Sequence, residues 1–197
     1  MSISRPHRLV LASSSPRRRY LLEQAGLTFS VIPSTVDEGS AVRVSPTENH
    51  VRMLANAKAL EVAELYPKSW IIGADTLVLI GDVVLGKPDT AAQARQMLRA
   101  LSNKTHRVLT GYCICCKAAG RSFSETVETR VLFKPLSESE IDWYVNTSEP
   151  YDKAGGYAVQ GLGTFMVKSI EGSYTNVVGL PVCEVIQYLL KEGVVKR

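Results

Sequence analysis

The run Ser13-Ser14-Ser15-Pro16-Arg17-Arg18-Arg19 breaks a local electrostatic rule. Ser15 as N-cap and Pro16 at the first helical position predict a helix over Pro16–Ala25, closed by Gly26. A helix N-terminus is partially positive and favours acidic neighbours, so three arginines in its first turn repel one another unless an anion joins them. The preceding serine hydroxyls and the backbone N–H groups of a strand-to-helix turn suit a phosphate. Ser13, Ser14 and Ser15 with Arg17, Arg18 and Arg19 are therefore candidate anion-binding residues. The alternative is a solvated basic helix end whose arginines pair with distant carboxylates.

A second irregularity lies in Ile71-Ile72-Gly73-Ala74-Asp75-Thr76-Leu77-Val78-Leu79-Ile80, where one carboxylate interrupts an apolar strand. An unpaired carboxylate is costly to bury, so Asp75 must be paired, metal-bound or at a cleft. A structural Asp satisfied by backbone N–H groups is the competing reading. Gly73 weakens a strand but permits close approach by a ligand. Glu38, in Val36-Asp37-Glu38-Gly39, is a candidate second metal-binding carboxylate, and spacing does not decide between it and Asp37. Lys58 and Lys87 are candidate cationic partners, although each alone reads as a solvated lysine. Asp152-Lys153-Ala154-Gly155-Gly156-Tyr157 reads as a glycine-rich loop able to close over a ligand. Arginines at a helix start, an isolated carboxylate and several lysines are the chemistry of a phosphate-bearing substrate with a divalent metal.

Other motifs fall away on inspection. Gly81 to Lys87 matches G-x-x-x-x-G-K, but Pro88 stands where a P-loop needs a hydroxyl and a helix start. Cys113 and Cys116 form a C-x-x-C, yet Tyr112-Cys113-Ile114-Cys115-Cys116 is apolar and strand-like, so reduced core thiols are expected. His7, His50 and His106 lack metal-ligand spacing and are expected at the surface or in loops. No G-x-S-x-G supports a serine hydrolase.

The elements that must position these residues alternate in period. Strands are expected at Arg8–Ser13, Thr28–Pro33, Trp70–Ile80 and Val83–Leu85, the last two joined by a Gly81-Asp82 hairpin turn. Two long antiparallel strands, Thr105–Ala119 and Ser122–Phe133, join near Gly120, and Thr164–Ile170 is a further strand. Helices are expected at Pro46–Tyr66, Thr90–Leu101, Ser137 to about Thr147 and Pro181–Glu192. Capping boxes mark two of them, Ser45-Pro46-Thr47-Glu48 and Ser137 with Glu140. The alternation predicts an α/β domain with a mixed sheet. With 197 residues, 45% hydrophobic and 21% charged, the chain is neither disordered nor a disulfide scaffold, and one domain, residues 1–197, is expected. A formal net charge of +4 does not demand a nucleic-acid partner. No stretch approaches a membrane span, and the apolar run Leu9–Ala12 is too short for a signal-peptide core; with reduced thiols, a cytoplasmic protein is expected.

Seven segments in order resemble the Maf family of nucleotide pyrophosphatases, also called Maf-like septum-formation inhibitors. They are Leu11-Ala-Ser-Ser-Ser-Pro-Arg-Arg18, Val36-Asp-Glu38, Gly73-Ala-Asp-Thr76, Gly86-Lys-Pro88, Thr110-Gly111, Asp152-Lys-Ala-Gly155 and Val178-Gly-Leu-Pro181. The resemblance implies a fold like that of the inosine triphosphate pyrophosphatases, with an elongated mixed sheet flanked by helices and two lobes around a cleft. It implies hydrolysis of a nucleoside triphosphate to the monophosphate and pyrophosphate, with Mg²⁺ or Mn²⁺ as cofactor held by Glu38 and Asp75. Asp75 matches the family's proposed proton acceptor, and Glu38, Lys58 and Lys87 match its polar active-site positions. Substrate preference follows three positions, here Arg17, Thr76 and Gln160, which look like the dTTP/UTP branch. The 7-methyl-GTP branch instead carries Trp after the Ser-Pro and Gln after the Asp. Modified pyrimidine nucleotides, a house-cleaning role and a link to cell-division arrest are also implied. Whether Asp75 is base or metal ligand stays open, as does a homodimer; no membrane and no stable nucleic-acid partner is expected. Two other readings compete: a nucleotide-binding division regulator without turnover, and a zinc or redox protein using Cys113 and Cys116.

Overall fold

The structure, a computed structural model, describes residues 9–37 and 47–196. Its strands are β1 (Leu9–Leu11), β2 (Ser30–Val31), β3 (Trp70–Ile80), β4 (Val83–Leu85), β5 (Thr105–Cys116), β6 (Arg121–Phe133) and β7 (Val167–Glu171). Its α-helices are α1 (Pro16–Gln24), α2 (Thr47–Leu65), α3 (Ala91–Leu101), α4 (Glu138–Val145), α5 (Tyr174–Val178) and α6 (Val182–Lys191). The strands form one seven-stranded sheet in the order β2-β1-β3-β5-β6-β7, with β4 paired to β3. β1 runs parallel to β2 and β3, whereas β3–β4 and β6–β7 are antiparallel. The expected mixed α/β architecture is therefore present.

The chain divides into two compact units. The first comprises Met1–Asp75, Thr110–Val127 and Gly179–Arg197. Its core gathers Val10, Ala55, Ala59, Val62, Ile71, Cys113 and Cys115. Residues 51, 54, 55, 58, 59 and 62 of α2 are buried at helical spacing, which turns one face of that helix to the sheet. Two glycines let it come close. A Cβ on Gly73 would lie 2.8 Å from the Ala59 nitrogen, with the Ala55 carbonyl oxygen nearer still. One on Gly111 would press into the backbone of Val51. Gly73 thus makes room for a helix, not for the ligand that its place in a strand suggested.

The second unit comprises Thr76–Leu109 and Glu128–Val178. Its core includes Val78, Leu98, Leu101, Val131, Phe133, Ile141, Tyr144 and Tyr157. Thr90 caps α3 by accepting the Gln93 N–H at 3.2 Å, and the capping box of Ser137 and Glu140 starts α4 as expected. The stretch after α4 is built from 3-10 turns at Glu149–Asp152, Ala154–Gly156 and Gly161–Met166. β7 accordingly starts at Val167, not at Thr164. The five-residue α5 is too short to show a helical period in the sequence. β2 is also shorter than expected, two residues, and Pro33, which cannot donate to a ladder, lies beyond its C-terminal end. The expected capping box of α2 begins at Ser45 and Pro46, outside the described residues.

Candidate active site

The first unit turns the basic helix start into an ordered arrangement. β1 ends at Leu11, and the chain turns through three serines into α1, which has no acidic residue in its first turn. The Ser15 hydroxyl accepts the Arg18 N–H at 3.4 Å, and Ser13 Oγ accepts the Ser15 N–H at 3.2 Å. The three arginines then separate. Arg18 is 9% exposed and points inward: its Nε donates to the Gly179 carbonyl at 2.8 Å and its Nη1 to Ser13 Oγ at 3.2 Å. Arg17 is half-buried. Arg19 turns outward and pairs with Glu23 one helical turn on, at 2.7 Å. The expected repulsion is therefore partly relieved by that pair at the surface. Gly179, with φ at 126°, gives the Val178-Gly179-Leu180-Pro181 segment a physical role as the acceptor that orients Arg18.

Asp75 is paired. It is 5% exposed on β3, and Oδ1 accepts from Lys58 Nζ at 2.7 Å. Lys58, 6% exposed on α2, also reaches the Ala74 carbonyl at 3.5 Å. Alone in the sequence it read as a solvated lysine; in the fold it is a buried counter-ion. Spacing explains the match. Gly73 and Asp75, two residues apart, share one face of β3. The close approach of Ala55 and Ala59 to Gly73 brings the intervening Lys58 to the carboxylate. The same helix anchors the stretch before Asp37: Glu61 accepts the Thr35 N–H at 2.9 Å and the hydroxyls of Ser34 and Thr35. Those hydroxyls hold the Glu61 carboxyl below its ordinary range. Glu38 lies outside the described residues, and Asp37 is exposed.

The other candidates belong to the second unit. Thr76 follows Asp75 on the opposite face of β3 and is half-buried, Lys87 is exposed after β4, and Gln160 is half-buried before Gly161. Asp152–Tyr157 is not an open loop. Gly155 and Gly156 are buried with φ of 75° and 69°; Gly155 packs on Val78 and donates to the Gly86 carbonyl at 3.0 Å. The glycines there serve backbone packing.

Sequence reasoning missed two groups in this unit. Tyr144 and Glu149 bond the segment around Gln160. His106, 1% exposed, bonds Tyr157 Oη through Nε2 at 2.7 Å and packs edge-on against Phe133. Burial pushes its pKa down to about 4. The expectation of a surface histidine is overturned, and the strand alternation that pairs residue 106 with buried Val108 was the signal. His50 is likewise buried, on α2. Cys113, Cys115 and Cys116 are free and buried, and the neighbouring Cys115 thiol together with burial pushes the Cys113 thiol up.

The fold and these residues define an α/β protein with a mixed sheet, an inward arginine at a helix start and a buried acid–lysine pair. The chain belongs to the family of Maf-like proteins, whose sequence model matches residues 8–192. A dTTP/UTP pyrophosphatase of Syntrophus aciditrophicus is 50% identical over 186 residues, covering 94% of this chain and 90% of that protein. Dispersed relatives carry the same name, among them one from Halalkalibacterium halodurans at 46% identity (94% and 96% covered). Another, from Pyrococcus furiosus, is 45% identical (92% and 94% covered). A solved nucleoside-triphosphatase / dITP/XTP pyrophosphatase from Mycobacterium abscessus aligns over 93% of this chain and 95% of its own, at 11% identity and a TM-score of 0.42.

Proposed function

We propose that this chain is a hydrolase that cleaves dTTP and UTP between the α- and β-phosphates, releasing the nucleoside monophosphate and pyrophosphate, with modified pyrimidine nucleotides as further substrates. The observation that carries the reading is the buried Lys58–Asp75 pair, in a unit that also holds the inward Arg18. Relatives 44–50% identical over most of the chain bear the name of this activity. A catalytic carboxylate must keep one orientation while the substrate changes; a 2.7 Å bond to a lysine that is itself packed against the sheet supplies that.

In this mechanism water attacks the α-phosphorus, the Pα–O bond to the β-phosphate breaks, and pyrophosphate leaves. Asp75 orients the water and takes its proton. Arg17, Arg18, Lys58 and Lys87 offset the charge that gathers on the leaving group. Ser13 binds phosphate beside Arg18, and Arg17, Thr76 and Gln160 set the preference for the pyrimidine. Among the described residues no three His, Cys, Asp or Glu side chains converge into a metal cage. Carboxylate oxygen instead suits Mg²⁺ or Mn²⁺ bound largely through substrate phosphates: Glu38 would hold the ion, and Asp75 would be a second ligand only in place of its role as base. Such an ion would neutralise the triphosphate when bound. The free thiols suit a reducing compartment, and a cytoplasmic location is part of this reading. No helix among the described residues is long and apolar enough to cross a membrane.

The test is pyrophosphate release from a panel of nucleoside triphosphates with Mg²⁺ or Mn²⁺. UTP and dTTP should be the best substrates, and Asp75→Asn should lower kcat by about a thousandfold or more. Turnover of 7-methyl-GTP with none of UTP or dTTP would move the chain to the other branch of substrate preference. Full activity in the Asp75→Asn variant would remove Asp75 from the chemistry.

A further inference from the structure

Gln160 sits in a segment with little regular structure, yet side chains from elsewhere in its unit fasten that segment on both flanks. Before it, the Ala158 N–H donates to Tyr144 Oη at 3.2 Å. After it, the Leu162 N–H donates to Glu149 Oε2 at 2.9 Å and the Gly163 N–H to Glu149 Oε1 at 2.8 Å. The two anchors are themselves joined, because the Tyr144 hydroxyl donates to Glu149 Oε1 at 2.9 Å. Tyr144 is 0% exposed, and burial with the Glu149 carboxylate beside it pushes its phenol up, so it stays a donor. Thr164 Oγ1 closes the turn from within, 2.7 Å from the Gly161 carbonyl.

The geometry points to Tyr144 and Glu149 as a specificity clamp, a pair of positioning residues that fix where Gln160 meets the nucleotide base. Gly161 reports how tight the clamp is. Its φ is 80°, and a Cβ there would lie 2.5 Å from Glu149 Oε2. A base contact discriminates only if its amide cannot swing to suit the wrong base, and the backbone on either side of Gln160 is denied that freedom. Neither Tyr144 nor Glu149 needs to touch substrate. The inference rests on the reading of Gln160 as a base contact, and the experiment separates the two.

The measurement is the ratio of kcat/KM for UTP over CTP, which share everything except the pairing edge of the base. It is taken for the unaltered chain, for Gln160→Ala, and for Tyr144→Phe, Glu149→Ala, Glu149→Gln and Gly161→Ala. Gln160→Ala should lower the ratio by about tenfold. Tyr144→Phe, Glu149→Ala and Gly161→Ala should each lower it by about three- to tenfold, chiefly through a higher KM for UTP. Glu149→Gln, whose amide oxygen still accepts, should recover part of the loss. If Gln160→Ala lowers the ratio but the clamp variants leave it unchanged, the clamp is overturned while the base contact stands. If Gln160→Ala leaves the ratio unchanged, the base contact falls and the clamp with it. A uniform loss on both nucleotides in the clamp variants assigns Tyr144 and Glu149 to stability alone and overturns the proposal. Glu149→Gln keeps the size of the side chain and one accepting oxygen, so it answers the question even where Tyr144→Phe fails to fold.

Discussion

In the first unit, charge is held by regular elements: Asp75 stands on β3 and Lys58 on α2, and the two meet because Gly73 lets helix and strand approach. In the second unit, polar groups are held by a web of bonds across turns, with Tyr144 and Glu149 gripping residues 158–163 and His106 bonded to Tyr157. The first arrangement places full charges in a buried setting, where an unmatched partner is very costly. The second is mostly neutral and divides its cohesion among several modest bonds. The contrast suits the roles proposed for them. A carboxylate that orients water needs one fixed position, whereas a segment that reads a base needs restraint along several residues.

The largest expected effect sharpens that difference at Lys58. Lys58→Met leaves Asp75 buried without its counter-ion and should destabilise the fold by about 3–5 kcal/mol in urea unfolding at pH 7. Adding Asp75→Asn should return part of that loss, because the uncompensated charge goes with it. A cost below about 1 kcal/mol is what an exposed pair would show, and it would place Lys58 and Asp75 in water.

The second unit is tested by pH. Neutral His106 is favoured in the fold, where burial pushes its pKa from 6.5 down to about 4. Its contribution is complete above pH 6.5 and is lost as pH falls toward 4, because the unfolded chain takes up a proton that the folded one resists. Comparing unfolding at pH 7 and pH 4.5, the unaltered chain should lose about 2–3 kcal/mol more than His106→Gln. His7 and His50 are common to both, so the difference isolates residue 106. Equal losses would mean that water or another group reaches the imidazole.

How far the sequence told these regions apart follows from where each signal lies. Asp75 stood out because a carboxylate in an apolar strand violates a period that can be read locally. The helix start at Arg17 and Arg18 stood out by violating a dipole preference. Lys58 carried no such mark, since its burial depends on two glycines in separate strands and the helix they admit. The clamp was invisible for a different reason. Glu149 follows a helix by four residues and Tyr144 sits on its apolar face, so each reads as ordinary until the 3-10 turns bring residues 158 and 163 to them. Elements of about ten residues or more were legible to within a few positions. The two-residue β2, the five-residue α5 and the 3-10 turns are shorter than the periods by which an element is recognised.

The smallest expected effect divides two neighbours that the sequence treats alike. Arg18 is buried, with its Nε and Nη1 committed to the Gly179 carbonyl and Ser13 Oγ, while Arg19 is exposed and paired with Glu23. Arg18→Ala opens a cavity and strands two acceptors, so about 1–3 kcal/mol of stability should go with it. Arg19→Ala should change stability by less than about 0.5 kcal/mol, and raised salt should erase even that. The same pair bears on catalysis. KM for UTP should rise in Arg18→Ala and hold steady in Arg19→Ala, because only one of the two guanidinium groups points into the fold beside the serine turn. Equal effects from both substitutions would mean that the basic helix start acts as diffuse charge, and the distinction between inward and outward arginine would lose its functional meaning.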